Sequence, residues 1–365
     1  MKALIIDRVS PLVESGLKEY GVDVDVKILP GVDELKRLLP EYDLLVMRVD
    51  PKLDRELLDA AAKRVKMIAV CSAGTNHIDL AYAKELGIRI QNAPGINCNA
   101  VAELTISKLL DVSRFTMEAN REVQQDHIWN KYKYTGHELK GHTLGIIGLG
   151  KIGSRVAHLA QAFDMAVKAY DPYVDEAVMA EKGVEKVDSV LELCSQADYL
   201  TVHTPLTAET KGIVGVKELA AMKDGSIVVN CARGGVVDEA AARDALASGK
   251  LAGLSLDVLA NELAGSGLGD NAGLNSDLFG MKGFTVSPHI GGSTHEAYDG
   301  IGAFIVEKAA DFLKPEGYLL VEIGHDQGED LRKMLKDSGK YSPAVVIKDL
   351  PGRDRVVKCK QKNKN

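Results

Sequence analysis

Short apolar runs alternate with amphipathic stretches along almost the whole chain. Lys2–Asp7, Val24–Leu29, Asp43–Arg48, Met67–Cys71 and Arg89–Asn92 read as strands. Between them, Pro11–Tyr20, Val32–Leu39, Asp54–Ala61 and Leu80–Leu86 carry apolar residues at helical spacing. Strands alternating with helices predict βαβ units around a parallel sheet. A long helical pattern, Asn99–Ser113, follows. Then comes a polar stretch, Asn120–Lys140, which holds the only tryptophan, Trp129.

A second alternating series begins at His142. Its strands are expected at Thr143–Ile147, Ala166–Tyr170, Tyr199–His203, Ser226–Cys231, Leu251–Leu256 and Phe284–Val286. That set fits a doubly wound nucleotide-binding domain. After Pro288 the spacing turns helical again, Thr294–Phe312, in a segment expected to return to the first domain. The expected architecture is α/β, with two doubly wound Rossmann-like domains. A flavodoxin-like first domain, discontinuous in sequence, takes 1–98 and 291–325. A dinucleotide-binding domain takes 99–290, and a basic C-terminal tail takes 326–365.

Composition changes this picture little. The 365 residues are 45% hydrophobic and 27% charged, enough for a large core without disulfides or metals. A net charge of −7 speaks against nonspecific nucleic-acid binding. The segment 331–365 has 11 Lys/Arg and 3 Asp/Glu, a balance of +8, so the rest carries −15. That tail reads as a solvated, partly disordered terminus. Five cysteines without a CxxC pair indicate neither a disulfide framework nor a zinc site. The opening apolar run is too short for a signal peptide or a membrane span, so a cytoplasmic setting without membrane contact is expected.

The strand Thr143–Ile147 runs into Gly148-Leu-Gly150-Lys151-Ile152-Gly153 and then into helix-forming residues. The glycines suit a tight turn, close approach to a pyrophosphate and close helix–strand packing, with the helix N-terminus facing phosphate charge. Asp171 ends the next strand, about twenty residues on, where an acid accepts from ribose hydroxyls. A carboxylate there repels a 2′-phosphate, so NAD is expected rather than NADP. His203 ends a further strand and reads as structural or near the cofactor, with Thr204-Pro205 flanking the adenosine.

Arg233, Glu262 and His289 follow three strands of the second series. Ligands of open α/β sheets bind outside the carboxyl ends of strands, so the three are expected to converge on one crevice. Keto-acid reduction needs a proton donor, which histidine supplies near neutral pH. A carboxylate orients the imidazole and favours its charged form, while an arginine binds the substrate carboxylate in a fork and polarises the carbonyl.

Five ordered segments resemble the D-isomer-specific 2-hydroxyacid dehydrogenase family: Gly145–Gly153, Val202–Leu206, Asn230–Asp238, Leu256–Val258 and Ser287–Thr294. The resemblance runs from near Met1 to about residue 322, and it implies that the discontinuous first domain is the substrate-binding one. It implies Arg233, Glu262 and His289 as the catalytic set, with His289 the proton donor. It implies NAD contacts from Lys151, Ile152, Asp171, Thr204, Cys231, Ala232, Arg233 and Asp257, with His289, Gly291 and Gly292 in the matching loop. The segment Cys71–Asn76 resembles the family loop whose N–H groups hold the substrate carboxylate, through Ser72, Ala73 and Gly74, with Thr75 near the nicotinamide.

Within the family the chain looks most like the branch acting on a phosphorylated hydroxy acid. Arg48 falls at that branch's phosphate arginine, and Lys131 and Lys133 add charge nearby. Ser72 stands where many of that branch have a second arginine, Leu263 replaces a common proline, and the stretch 265–274 is unusually glycine-rich. Too few residues follow Val321 for the extra regulatory domain of some relatives. A homodimer through the 99–140 region is implied. Two alternatives stay open: a reductase of glyoxylate, hydroxypyruvate or another non-phosphorylated 2-keto acid, and an NADH-sensing co-repressor-like binding protein.

Overall fold

The computed structural model describes residues 1–262, 274–313, 318–322, 327–338, 344–348 and 354–360. Leu263 and the glycine-rich stretch 265–273 lie outside them.

The first unit runs Lys2–Ile5 (β1), Pro11–Glu19 (α1), Asp23–Val26 (β2), Val32–Leu38 (α2), Leu44–Met47 (β3), Arg55–Ala62 (α3), Met67–Val70 (β4), Leu80–Glu85 (α4) and Arg89–Asn92 (β5). Its parallel sheet has the order β2-β1-β3-β4-β5, the flavodoxin-like arrangement. β3 and β4 are buried along their whole length, because helices cover both faces. The helices start where the sequence supplies caps. Ser10, with Pro11 behind it, accepts from Leu12 N–H, while Asp54 and Asp79 accept from Leu57 and Tyr82.

Two long helices follow different sheets. Cys98–Arg114 (α5) joins the core under the second sheet through Val101, Ile106, Leu109 and Val112. The polar stretch after it is Thr116–Arg121 (α6), one wide turn at Glu122–Asp126 and a 3₁₀ turn at Lys131–Tyr134.

The second unit comprises Thr143–Ile147 (β6), Lys151–Ala162 (α7), Ala166–Tyr170 (β7), Glu176–Glu181 (α8), Glu185–Lys186 (β8), Val190–Gln196 (α9), Tyr199–Val202 (β9), Val216–Ala221 (α10), Ser226–Asn230 (β10), Glu239–Ala247 (α11), Leu251–Leu256 (β11) and Phe284–Val286 (β12). The sheet is parallel with the order β12-β11-β10-β9-β6-β7-β8. It has one strand more than the sequence reading gave. β8 is two residues at the sheet edge, one exposed and one partly buried, too short to leave a hydrophobic period. Then His295–Leu313 (α12) places Ile301, Ile305, Val306 and Ala309 in the core of the first sheet, against α1.

The C-terminal segment departs from the expected tail. Tyr318–Glu322 (β13), Gly328–Asp337 (α13), Val345–Lys348 (β14) and Asp354–Lys360 (β15) form an antiparallel sheet of order β13-β15-β14 with a helix on it. Leu335 and Val357 are its buried centre. The abundance of Lys and Arg masked a weak period of two. Val346 packs inward, while Val345 and Ile347 face out. Among the described residues, no helix is long and apolar enough to cross a membrane.

Candidate active site

The carboxyl ends of β6 and β9 mark the point where the second sheet's strand order reverses, the usual ligand crevice of such sheets. The glycine loop opens there. Gly148 has φ +91°, and a Cβ on it would meet His203 O at 2.9 Å, so only glycine allows the β6 turn to touch the β9 exit. A Cβ on Gly153 would stand 2.1 Å from Gly148 O, which is how closely helix and loop approach. Beside Gly150 the space is open, and this residue caps α7 without a side chain.

Asp171 closes the loop from the side. Its Oδ2 accepts from Leu149 N–H at 2.8 Å and its Oδ1 from Tyr173 N–H at 2.9 Å. Across the crevice, Thr204 Oγ1 and both ring nitrogens of His203 are buried with no hydrogen-bond partner. Burial pushes His203 down to about 4, so its imidazole is neutral at neutral pH. A glycine cradle at a helix N-terminus, an acid at its flank and unpartnered polar atoms opposite fit a dinucleotide. Ile152 fits less directly, since it packs partly into the core.

The next three strand ends carry the ionisable residues. After β10, Asn230 accepts from Ala232 N–H and donates to Arg233 O, both at 2.9 Å, which folds the Cys231–Arg233 turn. Gly234 then lets this turn press on the β11 exit, since a Cβ there would stand 2.0 Å from Leu259 O. Arg233 donates to Ala232 O at 2.6 Å. Burial pulls its pKa below the usual arginine value, and the Glu262 charge opposes that. Cys231 is buried, and burial pushes its thiol up to about 12, so it is no nucleophile.

Past β12, His289 sits at φ +52°, a conformation that needs outside support. Asp257 at the end of β11 supplies it. Its backbone O accepts from His289 N–H at 2.8 Å, and its carboxylate accepts from Ser287 Oγ at 2.5 Å, Ile290 N–H at 3.0 Å and Gly291 N–H at 2.7 Å. The partners of the Asp257 carboxylate are thus all in the histidine loop, while its N–H donates to Asn230 O at 2.9 Å. Held this way, His289 Nδ1 lies 3.0 Å from Glu262 Oε1, leaving Nε2 for another partner. Glu262 Oε2 accepts from Leu259 N–H at 3.3 Å, which fixes the carboxylate in turn.

The first unit supplies the opposite wall. Ser72 Oγ donates to Gly74 O at 2.8 Å, and Asn92 donates to Ala73 O at 2.7 Å. The N–H groups of Ala73 and Gly74 find no acceptor among the described residues. Arg233 Nη2 lies over Gly74, 2.7 Å from where a Cβ would be, so the arginine and the loop share one space. Thr75 O accepts from Ile78 N–H, which holds the end of that loop. Lys151 reaches across to Gly95, where a Cβ would meet its Cδ at 2.4 Å. Arg48 stands further out, its Nη2 3.4 Å from Ser293 Oγ. Lys133 is paired with Glu122 and Lys131 lies over the Tyr132 ring.

The structure therefore gathers Arg233, Glu262, His289, Ala73 and Gly74 around one space, and the glycine loop and Asp171 around the neighbouring one. Asn97 belongs there too, and sequence reasoning missed it. A Cβ on Gly292 would meet its Nδ2 at 2.7 Å, and its Oδ1 is buried without a partner. Its signal was only an Asn ahead of a helix, which a cap explains equally well. Asn230 and Ser287 were likewise invisible, because their work is in the backbone turns.

Comparisons with known proteins agree with this geometry. A family model described as D-isomer specific 2-hydroxyacid dehydrogenase, NAD binding domain, matches residues 106–291. The D-3-phosphoglycerate dehydrogenase of Methanocaldococcus jannaschii is 36% identical over 318 residues, 87% of this chain. That of Archaeoglobus fulgidus is 38% identical over 314 residues, 86% of this chain. The chain spans 58% of the length of each of these two relatives. Among solved structures, D-lactate dehydrogenase from Aquifex aeolicus complexed with NAD and lactic acid is similar with a TM-score of 0.75 at 29% identity. That match covers 86% of this chain and 95% of the other.

Proposed function

This chain belongs to the D-isomer specific 2-hydroxyacid dehydrogenase family, and from that premise we propose that it interconverts a D-2-hydroxy acid and a 2-keto acid using NAD(H). One observation carries the reading: His289 and Glu262 are paired at 3.0 Å beside Arg233 and the free N–H groups of the Cys71–Asn76 loop. Ala73, Gly74 and Arg233 bind the substrate carboxylate, and Arg233 polarises the keto oxygen. His289 Nε2 gives that oxygen its proton, with Glu262 holding the ring. NADH, when bound along the glycine loop and Asp171, supplies the hydride for the carbonyl carbon. In the oxidation direction His289 takes the hydroxyl proton instead.

The substrate we propose is 3-phosphoglycerate/3-phosphohydroxypyruvate, in serine biosynthesis. Two relatives carry the corresponding name. Arg48 supports it as well: it is partly buried and forms no ion pair with a carboxylate among the described residues. Ser72 favours a second reading, a smaller non-phosphorylated keto acid, because it adds no positive charge. We also propose a homodimer through the 99–140 region, where Trp129 and Tyr132 are 85% and 81% exposed.

The test follows NADH absorbance with a panel of 2-keto acids that includes 3-phosphohydroxypyruvate. Consumption is expected, fastest with the phosphorylated acid. No consumption with any of them, despite measured NADH binding, would overturn the enzyme reading. A preference for a non-phosphorylated acid would overturn only the substrate.

A further inference from the structure

Arg48 is one of the described arginines that lie on an aromatic ring, as Arg89 does on Phe312. Arg64, Arg55 and Arg243 each face a carboxylate within 4.0 Å. Arg48 instead lays its guanidinium on the ring of Tyr298, with the central carbon 4.7 Å from the ring centroid. Its Nη2 donates to Ser293 Oγ at 3.4 Å, and Tyr298 Oη donates to the same Ser293 Oγ at 3.3 Å. All three side chains are partly buried. The backbone beside Arg48 is fixed as well. Asp7 Oδ2 accepts from the N–H of Arg48 at 3.0 Å and of Val49 at 2.9 Å.

The consequence is geometric. One face of the guanidinium is covered by an aromatic ring and one N–H is taken by a hydroxyl. The remaining donors have no described partner. Such a plane is pre-organised for a two-oxygen fork and keeps its full charge, because a ring neutralises nothing while a carboxylate would. Ser293 stands four residues after His289, so the same contact ties the cation to the loop that carries the proton donor.

We propose that Tyr298 and Ser293 are positioning residues that aim Arg48 at the distal anionic group of the substrate, and so set the preference for a keto acid with a second anionic group over one with the carboxylate alone. This rests on the reading of the chain as a 2-keto acid reductase acting on a phosphorylated substrate. The side-chain contacts described for Tyr298 are with Arg48 and Ser293, so its effect falls on the affinity for one substrate class and not on the chemical step.

The experiment compares the full-length wild type with Tyr298→Leu, Tyr298→Phe and Ser293→Ala, using NADH with 3-phosphohydroxypyruvate and with hydroxypyruvate. Tyr298→Leu is expected to raise KM for the phosphorylated acid about three- to thirtyfold, as loss of a cation–π contact implies, with kcat within about twofold. KM for hydroxypyruvate stays unchanged. Tyr298→Phe keeps the ring and stays within about threefold of wild type, and Ser293→Ala falls between the two. If Tyr298→Leu shifts both substrates equally, or neither, the inference is overturned while the substrate reading stands. A wild type that does not prefer the phosphorylated acid overturns both. Should Tyr298→Leu fail to fold, Tyr298→Phe and Ser293→Ala decide. A KM ratio in both identical to wild type, in place of the graded rise, overturns the inference.

Discussion

Nδ1 of His289 lies 3.0 Å from Oε1 of Glu262, across 27 positions of sequence and from two different strand ends. The histidine reaches it from a left-handed backbone conformation that Asp257 clamps with three hydrogen bonds to its carboxylate. A ring so oriented has one nitrogen left for a substrate. Replacing His289 with Ala is therefore expected to lower kcat by about 10²- to 10⁴-fold while NADH still binds. Glu262→Gln keeps the hydrogen-bond geometry and costs less. Steady-state rates beside a fluorescence titration of NADH separate the two effects, and unchanged turnover in His289→Ala would remove the proton-donor assignment.

Asp171 takes two N–H groups of its own chain, from Leu149 and Tyr173, and still flanks the crevice. Asp171→Ser is expected to weaken NADH by about tenfold, the order of one charged hydrogen bond, and to narrow the gap to NADPH by removing the charge that repels a 2′-phosphate. The ratio of kcat/KM for the two cofactors is the readout. A ratio that does not move would show that Asp171 serves the loop alone.

Gly153 has no room for a methyl group. Its nearest obstacle is the backbone oxygen of Gly148, which cannot rotate away as a side-chain end can. Gly153→Ala should cost about 1–3 kcal/mol of stability, the usual penalty of overpacking, and reduce NADH affinity because the loop must open. Urea unfolding with and without NADH measures both, and a variant of wild-type stability and affinity would contradict the packing described for the loop.

Asp43 is buried just before β3, beside the start of β1, where it accepts from Arg64 at 3.1 Å and 3.2 Å and from Lys2 N–H at 2.9 Å. The Arg64 hydrogen bonds hold its carboxyl below the ordinary aspartate value, against the pull of burial. A carboxyl lowered on folding stabilises the protein fully above its unfolded value, near 4, and that contribution fades as pH falls through the lower folded value. Asp43→Asn should cost about 1–3 kcal/mol at pH 7 and flatten the acid limb of the stability curve. Thermal melts between pH 7 and pH 3 check this, and a mutant with the wild-type acid slope would refute it.

Much of the site was legible because its chemistry falls next to strong local signals. Gly148-x-Gly-x-x-Gly153 sits between an apolar strand and a helix, Arg233 adjoins a Gly-Gly pair beyond a buried strand, and His289 stands two residues before another, past the half-exposed β12. Local order of this kind is written in periodicity and in residues that suit turns. Asn97, Asn230 and Ser287 gave no such signal, since a polar residue that folds a backbone turn looks like any loop residue. The C-terminal sheet was hidden for another reason. Its inward residues Val346 and Val357 are few among lysines and arginines, and charge count outweighed a short period of two.

By itself the sequence determined the α/β alternation and the dinucleotide loop, because each follows from near-neighbour spacing. Only the tertiary structure decided that Glu262 meets His289, that Arg233 lies over Gly74 and that Arg48 rests on Tyr298. Those contacts join strand ends and loops far apart in the chain. They depend on sheet order and on the packing of α12 against α1, which no local pattern specifies.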